Sequence, residues 1–118
     1  MSQQPSVLVT GAGGFIGHHL TRYLVDRGHV VRGVDMKPPD YEPSPAHDFR
    51  VLDLRRWEDC LEATRGMDDV YHLAANMGGI GFIETHKAEI VRDSTLISMH
   101  MIEAAYRNAV QRLSLIHI

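Results

Sequence analysis

Lysine is scarce in this chain: two lysines stand beside ten arginines. The 12 basic residues fall short of the 15 acids, so the formal charge is −3. That balance lacks the basic surplus that binds nucleic acid or an anionic membrane by charge alone. Cysteine occurs once, as Cys60, which excludes an internal disulfide and fits a reducing, cytoplasmic setting. No apolar run approaches the roughly 18–20 residues that a bilayer-spanning helix needs. The opening residues, MSQQPSVLVTGAGG, carry no basic stretch followed by a long apolar segment and a small-residue cleavage site. No secretory signal is therefore expected. Periodic internal repeats are absent too, and 118 residues leave room for one domain rather than two.

What is present is an alternation of strand and helix patterns. Residues 6–10 (SVLVT) form a short β-branched run that suits a buried parallel strand. A glycine cluster follows, then a helix running to Arg27, with Phe15, Ile16, Leu20, Tyr23 and Leu24 near helical spacing and Gly28 as its stop. Residues 29–34 read as a second strand closed by Asp35, and 36–48, with four prolines, as a surface loop. Residues 49–52 predict a third strand. Residues 55–65 predict a helix with Trp57, Cys60 and Leu61 on one side, stopped by Gly66. Residues 69–73 predict a fourth strand and 74–82 a glycine-bearing loop. From about residue 83 to 109 the pattern is helical, in two pieces, with Ile90, Ile97, Met101, Ile102 and Ala105 as one buried face. Residues 113–118 (LSLIHI) read as a fifth strand. Such alternation predicts right-handed crossovers and an α/β, Rossmann-type parallel sheet with helices on both faces. An ending inside an apolar strand leads to the expectation of a partial domain, the N-terminal piece of a longer protein.

The strongest chemical signal is Gly11-x-x-Gly14-x-x-Gly17 between a strand and a helix. Gly11 lets the chain turn off the strand end, Gly14 lets backbone approach a pyrophosphate, and Gly17 lets the helix pack close to the sheet. The helix N-terminus then offers N–H groups and partial positive charge to phosphates. No Gly-Lys-Ser/Thr follows, which excludes a P-loop. Asp35 lies 18 residues after Gly17, where an acid can accept both hydroxyls of an adenosine ribose and repel a 2′-phosphate. NAD is thus expected over NADP. Asp53 and Leu54 are placed either to meet an adenine edge or, for Asp53, to cap the next helix. Ala74 and Ala75 are small enough to let a dinucleotide cross the strand ends, or simply to pack closely.

Together, Gly11-Ala12-Gly13-Gly14-Phe15-Ile16-Gly17, Asp35, Asp53-Leu54 and Leu73-Ala74-Ala75 resemble the extended short-chain dehydrogenase/reductases of the nucleotide-sugar epimerase and dehydratase group. The loop Asn76-Met77-Gly78-Gly79-Ile80-Gly81-Phe82-Ile83 is similar to that of the 3,5-epimerases acting on GDP-mannose, as is the stretch from Ser94 to Ala105. This resemblance implies a cofactor site of Gly11, Gly14, Phe15, Ile16, Gly17, Asp35, Asp53, Leu54, Ala74 and Ala75. It implies a sugar-nucleotide edge of Met77, Gly78, Gly79 and Ile80. The implied reaction is transient oxidation: hydride leaves C4 of the GDP-linked hexose for NAD, the 4-keto sugar exchanges protons at C3 and C5, and hydride returns. The family's Tyr-x-x-x-Lys pair and its acid/base cysteine and lysine are expected beyond residue 118, so no catalytic residue is assigned here and the chain alone is expected to be inactive. Past Arg112, LSLIHI departs from the family's serine-rich continuation. The resemblance also implies a homodimer for the full-length protein. A dehydratase or 4-epimerase of the same group, or a non-catalytic NAD(P)-binding module, are the alternatives.

Other residues have plainer readings. Cys60 is expected to be a small buried residue, not the family's cysteine. No histidine spacing resembles a metal-ligand set, and His72 reads as a hydrogen-bonded core histidine. Met99 and Met101 read as core, and Arg55-Arg56 as a solvated helix face.

Overall fold

The computed structural model describes residues 4–40, 42–73 and 87–115, with the side chains of 87–91, 93 and 94 outside that description. The elements are β1 (Ser6–Thr10), α1 (Phe15–Asp26), β2 (Val30–Asp35), β3 (Asp48–Val51), α2 (Trp57–Thr64), β4 (Asp69–His72), α3 (Lys87–Arg107) and β5 (Arg112–Leu115). The five strands form one sheet in the order β3-β2-β1-β4-β5. All four pairings are parallel. This is a Rossmann-type sheet, and β1 lies at its centre. The chain steps outward from β1 to β2 and β3, then crosses back to β4 on the other side. That reversal leaves a crevice at the carboxyl ends of the strands.

Alternation along the strands divides the core. Leu8, Val34 and Val70 face α2 and α3, where they meet Leu54, Cys60, Ala63, Met67, Ile97, Met101 and Ala104. Val7, Val9 and Val31 face the opposite way, toward Leu24, Ala12 and Leu73. Leu8 is wholly buried and stands opposite Arg32 and Val70. Sealing such a side chain from water stabilises the fold by about 2 kcal/mol.

Element edges differ from the sequence reading at several points. Helix α1 starts at Phe15, so Gly17 lies in its first turn. Its buried residues are Gly17, His18, Thr21 and Leu24, whereas Phe15, Ile16 and Tyr23 are exposed. The inward stripe is small because helix and sheet lie in near contact: a Cβ on Gly17 would fall 2.1 Å from the Gly11 carbonyl oxygen. Helix α2 starts at Trp57 rather than residue 55. Helix α3 is unbroken from Lys87 to Arg107, and residues 83–86 lie outside the description. It stops at Arg107 because Ala109, at φ 58°, turns the chain. The Ala109 and Val110 N–H groups then reach back to Tyr106 and Ala105 carbonyls, the paired bonds of a Schellman end. Of the apolar face expected on α3, Ile97, Met101 and Ala105 are buried, Ile102 is half exposed, and the side chain of Ile90 is not described. Met101 is core, but Met99 is exposed.

Arg32, on β2, has a role that periodicity does not reveal. Its guanidinium donates to the carbonyls of Ala63 (2.9 Å), Arg65 (2.8 Å) and Glu62 (3.3 Å), and to Asp48 (3.1 Å). It thereby satisfies the open carbonyls at the end of α2 and places positive charge at the negative end of that helix. Among the described residues, no helix is long and apolar enough to cross a membrane.

Candidate functional site

The carboxyl ends of β1, β2 and β3 open onto a cleft of about 470 Å³. Its walls include Gly11, Gly14, Phe15, Ile16, Gly17, Asp35, Asp53 and Leu54, joined by Met36, Arg55, Leu73 and Ile97. Eight positions singled out from the sequence are thus gathered around one space. The others, Ala74, Ala75, Met77, Gly78, Gly79 and Ile80, lie outside the described residues.

The glycines shape this wall in distinct ways. Gly11 sits at φ +71°, and a Cβ there would press on the Leu73 backbone at 3.1 Å. It turns the chain off β1 where a side chain would strain both backbone and neighbour. Gly17 allows the close approach of α1 described above. Gly14 is different: a Cβ there would meet nothing nearer than the Gly11 carbonyl oxygen at 3.5 Å. The volume beside Gly14 is therefore free for a ligand. Gly13, to which the sequence reading gave no role, is the most confined of the glycines that precede α1. Its Cβ would lie 2.3 Å from the Lys37 carbonyl oxygen, and its N–H donates to Asp35 Oδ2 at 2.9 Å. Only the bond pattern of the folded loop reveals this link, which ties the glycine turn to the acid of β2.

Asp35 is the last residue of β2, and its second oxygen accepts the Met36 N–H at 2.6 Å. Two backbone donors hold the carboxylate at the rim of the cleft. Asp53 is held otherwise. Arg55 approaches it with Nε at 3.0 Å from Oδ1 and Nη2 at 2.9 Å from Oδ2, and the Arg55 backbone N–H also reaches Oδ1. The bonded Arg55 guanidinium holds the Asp53 carboxyl below its usual range, against the opposing effect of partial burial. The alternative of Asp53 as a helix cap does not hold, since the α2 cap position is Arg56. Nor is Arg55 merely a solvated helix residue: it precedes α2 and lines the cleft.

Helix α1 directs its N-terminus at this space. Its cap is Gly14, with no side-chain cap bond and no acid in the first turn. First-turn N–H groups have no intrahelical partner, and here no residue of the turn neutralises them. An open glycine wall, a bare helix N-terminus and an acid at the next strand end together suit a diphosphate linked to a ribose.

Behind the cleft, Thr10 and His72 join β1 to β4. Thr10 Oγ1 lies 2.8 Å from His72 Nδ1 and accepts the Leu73 N–H at 2.9 Å. His72 is 4% exposed and is the hydrogen-bonded core histidine that the sequence indicated. Cys60 is buried, with Sγ near the Leu54 carbonyl, and burial pushes its thiol up to about 12. It is a packing residue and not a nucleophile. Among the described residues, no group of three or more His, Cys, Asp or Glu side chains is arranged to hold a metal ion.

Fold and cleft define a dinucleotide-binding α/β protein of the Rossmann type. A sequence model of the NAD dependent epimerase/dehydratase family matches residues 7–117, and the chain belongs to that family. It is 42% identical over 113 residues to GDP-mannose 3,5-epimerase 1 of Oryza sativa subsp. japonica, covering 94% of this chain and 30% of that protein. It is 33% identical over 109 residues to 3-beta-hydroxysteroid dehydrogenase of Mycolicibacterium neoaurum, covering 90% of this chain and 30% of that protein. The structure of MoeE5 in complex with UDP-glucose and NAD superposes with a TM-score of 0.80 at 32% identity, over 93% of this chain and 35% of that one. The chain therefore spans about a third of the length of these relatives.

Proposed function

We propose that this chain is the partial NAD-binding domain of a nucleotide-sugar epimerase, whose leading activity is 3,5-epimerisation of GDP-mannose through a transient 4-keto sugar. The observation that carries this reading is the 42% identity to the rice GDP-mannose 3,5-epimerase over nearly the whole chain. The 33% identity to the hydroxysteroid dehydrogenase is the lower of the two over a similar span. The local chemistry is consistent: the α1 N-terminus and Gly14 receive the diphosphate, Asp35 accepts the ribose hydroxyls, and Asp53 with Leu54 borders the adenine. NAD, when bound, supplies a reversible hydride acceptor for the C4 carbinol. Ala74 and Ala75 would lie under the dinucleotide, and Met77, Gly78, Gly79 and Ile80 would form one edge of the sugar site. The acids and bases that invert C3 and C5 belong, in this reading, to sequence beyond residue 118, and the 118-residue chain by itself is inactive.

A cytoplasmic homodimer is part of the same reading. In favour of a second copy, Met99, Ile102 and Tyr106 stand exposed along one side of α3. The rival is a 4-epimerase of the same group, favoured by the likeness to a protein held with UDP-glucose and NAD. The two separate on product. The complete gene product is incubated with GDP-mannose in heavy water, and the sugar is examined by proton NMR. Deuterium at C3 and C5 with inverted configuration supports the 3,5-epimerase reading. Inertness toward GDP-mannose together with C4 inversion of a UDP-hexose overturns it.

A further inference from the structure

We propose that Arg55 is a positioning residue that fixes the Asp53 carboxylate as an acceptor for an exocyclic amino group, so that the cleft selects an aminopurine dinucleotide over its oxo analogue. The inference rests on the reading that the cleft receives a dinucleotide with its base beside Asp53.

The argument begins from the bonding of one carboxylate. An ionised carboxylate has roughly four acceptor positions and no donor. Three donors of Arg55 approach the two oxygens of Asp53, two at Oδ1 and one at Oδ2. One acceptor position, on Oδ2, is left. The Asp53 backbone is held as well, because its N–H donates to Asp59 Oδ2 at 2.8 Å. Neither end of this side chain is free to turn away. Asp53 and Arg55 both line the cleft, with side chains 30% and 43% exposed, so the remaining acceptor is accessible to a ligand. A base bearing an amino group can donate to it. A base bearing a carbonyl oxygen at the same place would set lone pairs against lone pairs. Without the Arg55 guanidinium, only the residue 55 N–H would hold Oδ1, Oδ2 could swing away, and the contrast between the two bases would fade.

The test compares NAD with nicotinamide hypoxanthine dinucleotide, which carries a carbonyl oxygen where adenine carries its amino group. Dissociation constants are measured by calorimetry on the complete gene product. Wild type should prefer NAD by about tenfold or more, the scale of a hydrogen bond to a charged group. In Arg55→Ala that ratio should fall toward one, chiefly through weaker NAD binding. Asp53→Asn provides a second, nearly isosteric route, because its amide can present either a donor or an acceptor, and its ratio should fall likewise. An unchanged ratio in either variant overturns the role given to Arg55 while leaving the cleft reading intact. A uniform loss of both ligands in Arg55→Ala is such an unchanged ratio, and marks a merely structural side chain. Failure of wild type to bind either dinucleotide overturns both proposals.

Discussion

Helices α1 and α2 begin in similar ways, and each lacks a side-chain cap bond. Their first turns differ in charge. Helix α2 carries Glu58 and Asp59 there, and Asp59 also accepts the Asp53 N–H. Helix α1 has no acid in its first turn and begins with glycine, phenylalanine and isoleucine. An acid in the first turn of an exposed helix stabilises it by about 0.3–1 kcal/mol. Helix α2 has that stabilisation built in. Helix α1 forgoes it, and its positive end faces the cleft. The difference is that only the α1 start is left uncompensated, and it is there that the proposed reading brings the diphosphate.

The largest test of this contrast is steric. Gly17→Ala would drive a Cβ into the Gly11 backbone, which has no flexible end to move aside. Loss of about 3 kcal/mol in stability is expected from such overpacking, read from the urea midpoint. Gly14→Ala meets only the Gly11 carbonyl oxygen at 3.5 Å and should cost about 1 kcal/mol or less. It should nevertheless weaken NAD binding by about tenfold, because the methyl group enters the space assigned to the diphosphate. Equal stability losses in the two variants would erase the distinction between a packing glycine and a ligand-facing one.

An electrostatic exchange comes next. Ile16→Glu gives α1 the kind of first turn that α2 has. It should raise the NAD dissociation constant by about tenfold at low salt while leaving the fold as stable or slightly more so. Glu58→Gln removes an acid from α2 and should lower stability by about 0.5 kcal/mol with NAD affinity unchanged. If Glu58→Gln weakened NAD as much as Ile16→Glu, the two helix starts would not be functionally different.

The smallest effect concerns pH. Arg55 holds Asp53 below the ordinary carboxylate value of 3.8, and Arg50, with Arg32, does the same for Asp48. The folded state therefore binds these protons less readily than the unfolded chain. The stability they contribute is complete above 3.8 and is lost as pH falls through the lowered folded values. Both carboxylates are partly exposed, so solvent screening keeps the effect modest. Asp48→Asn should flatten the decline in melting temperature between about pH 4 and about pH 2. A decline as steep as that of wild type would remove Asp48 from the account.

Much of the site was legible in advance because backbone demands limit residue choice. Gly11 and Gly17 stand where a turn and a close helix contact exclude a side chain, whereas Gly14, where a Cβ would make only ordinary contact, was legible from the glycine spacing alone. Asp35 stands at a strand end that the β-branched run before it announces. The roles of Gly13, Arg32 and Arg55 were not legible. Gly13 and Arg32 depend on partners brought from elsewhere, Asp35 and the carbonyls that close α2, while Arg55 depends on the conformation of a local turn that presents a carboxylate two residues back. Helical spacing likewise located α1 but not its buried side, since the small residues Gly17 and Thr21 face the sheet while Phe15 and Tyr23 face out.

By itself, then, the sequence determined the succession of strands and helices, the glycine turn and the acid that follows it, because periodicity and backbone conformation are local properties. Tertiary structure alone decided the strand order β3-β2-β1-β4-β5, the convergence of eight expected residues on one cleft, and the tie between Gly13 and Asp35. The physical reason is that the cleft lies between segments distant in the chain, and its charges take their states from neighbours that only folding supplies.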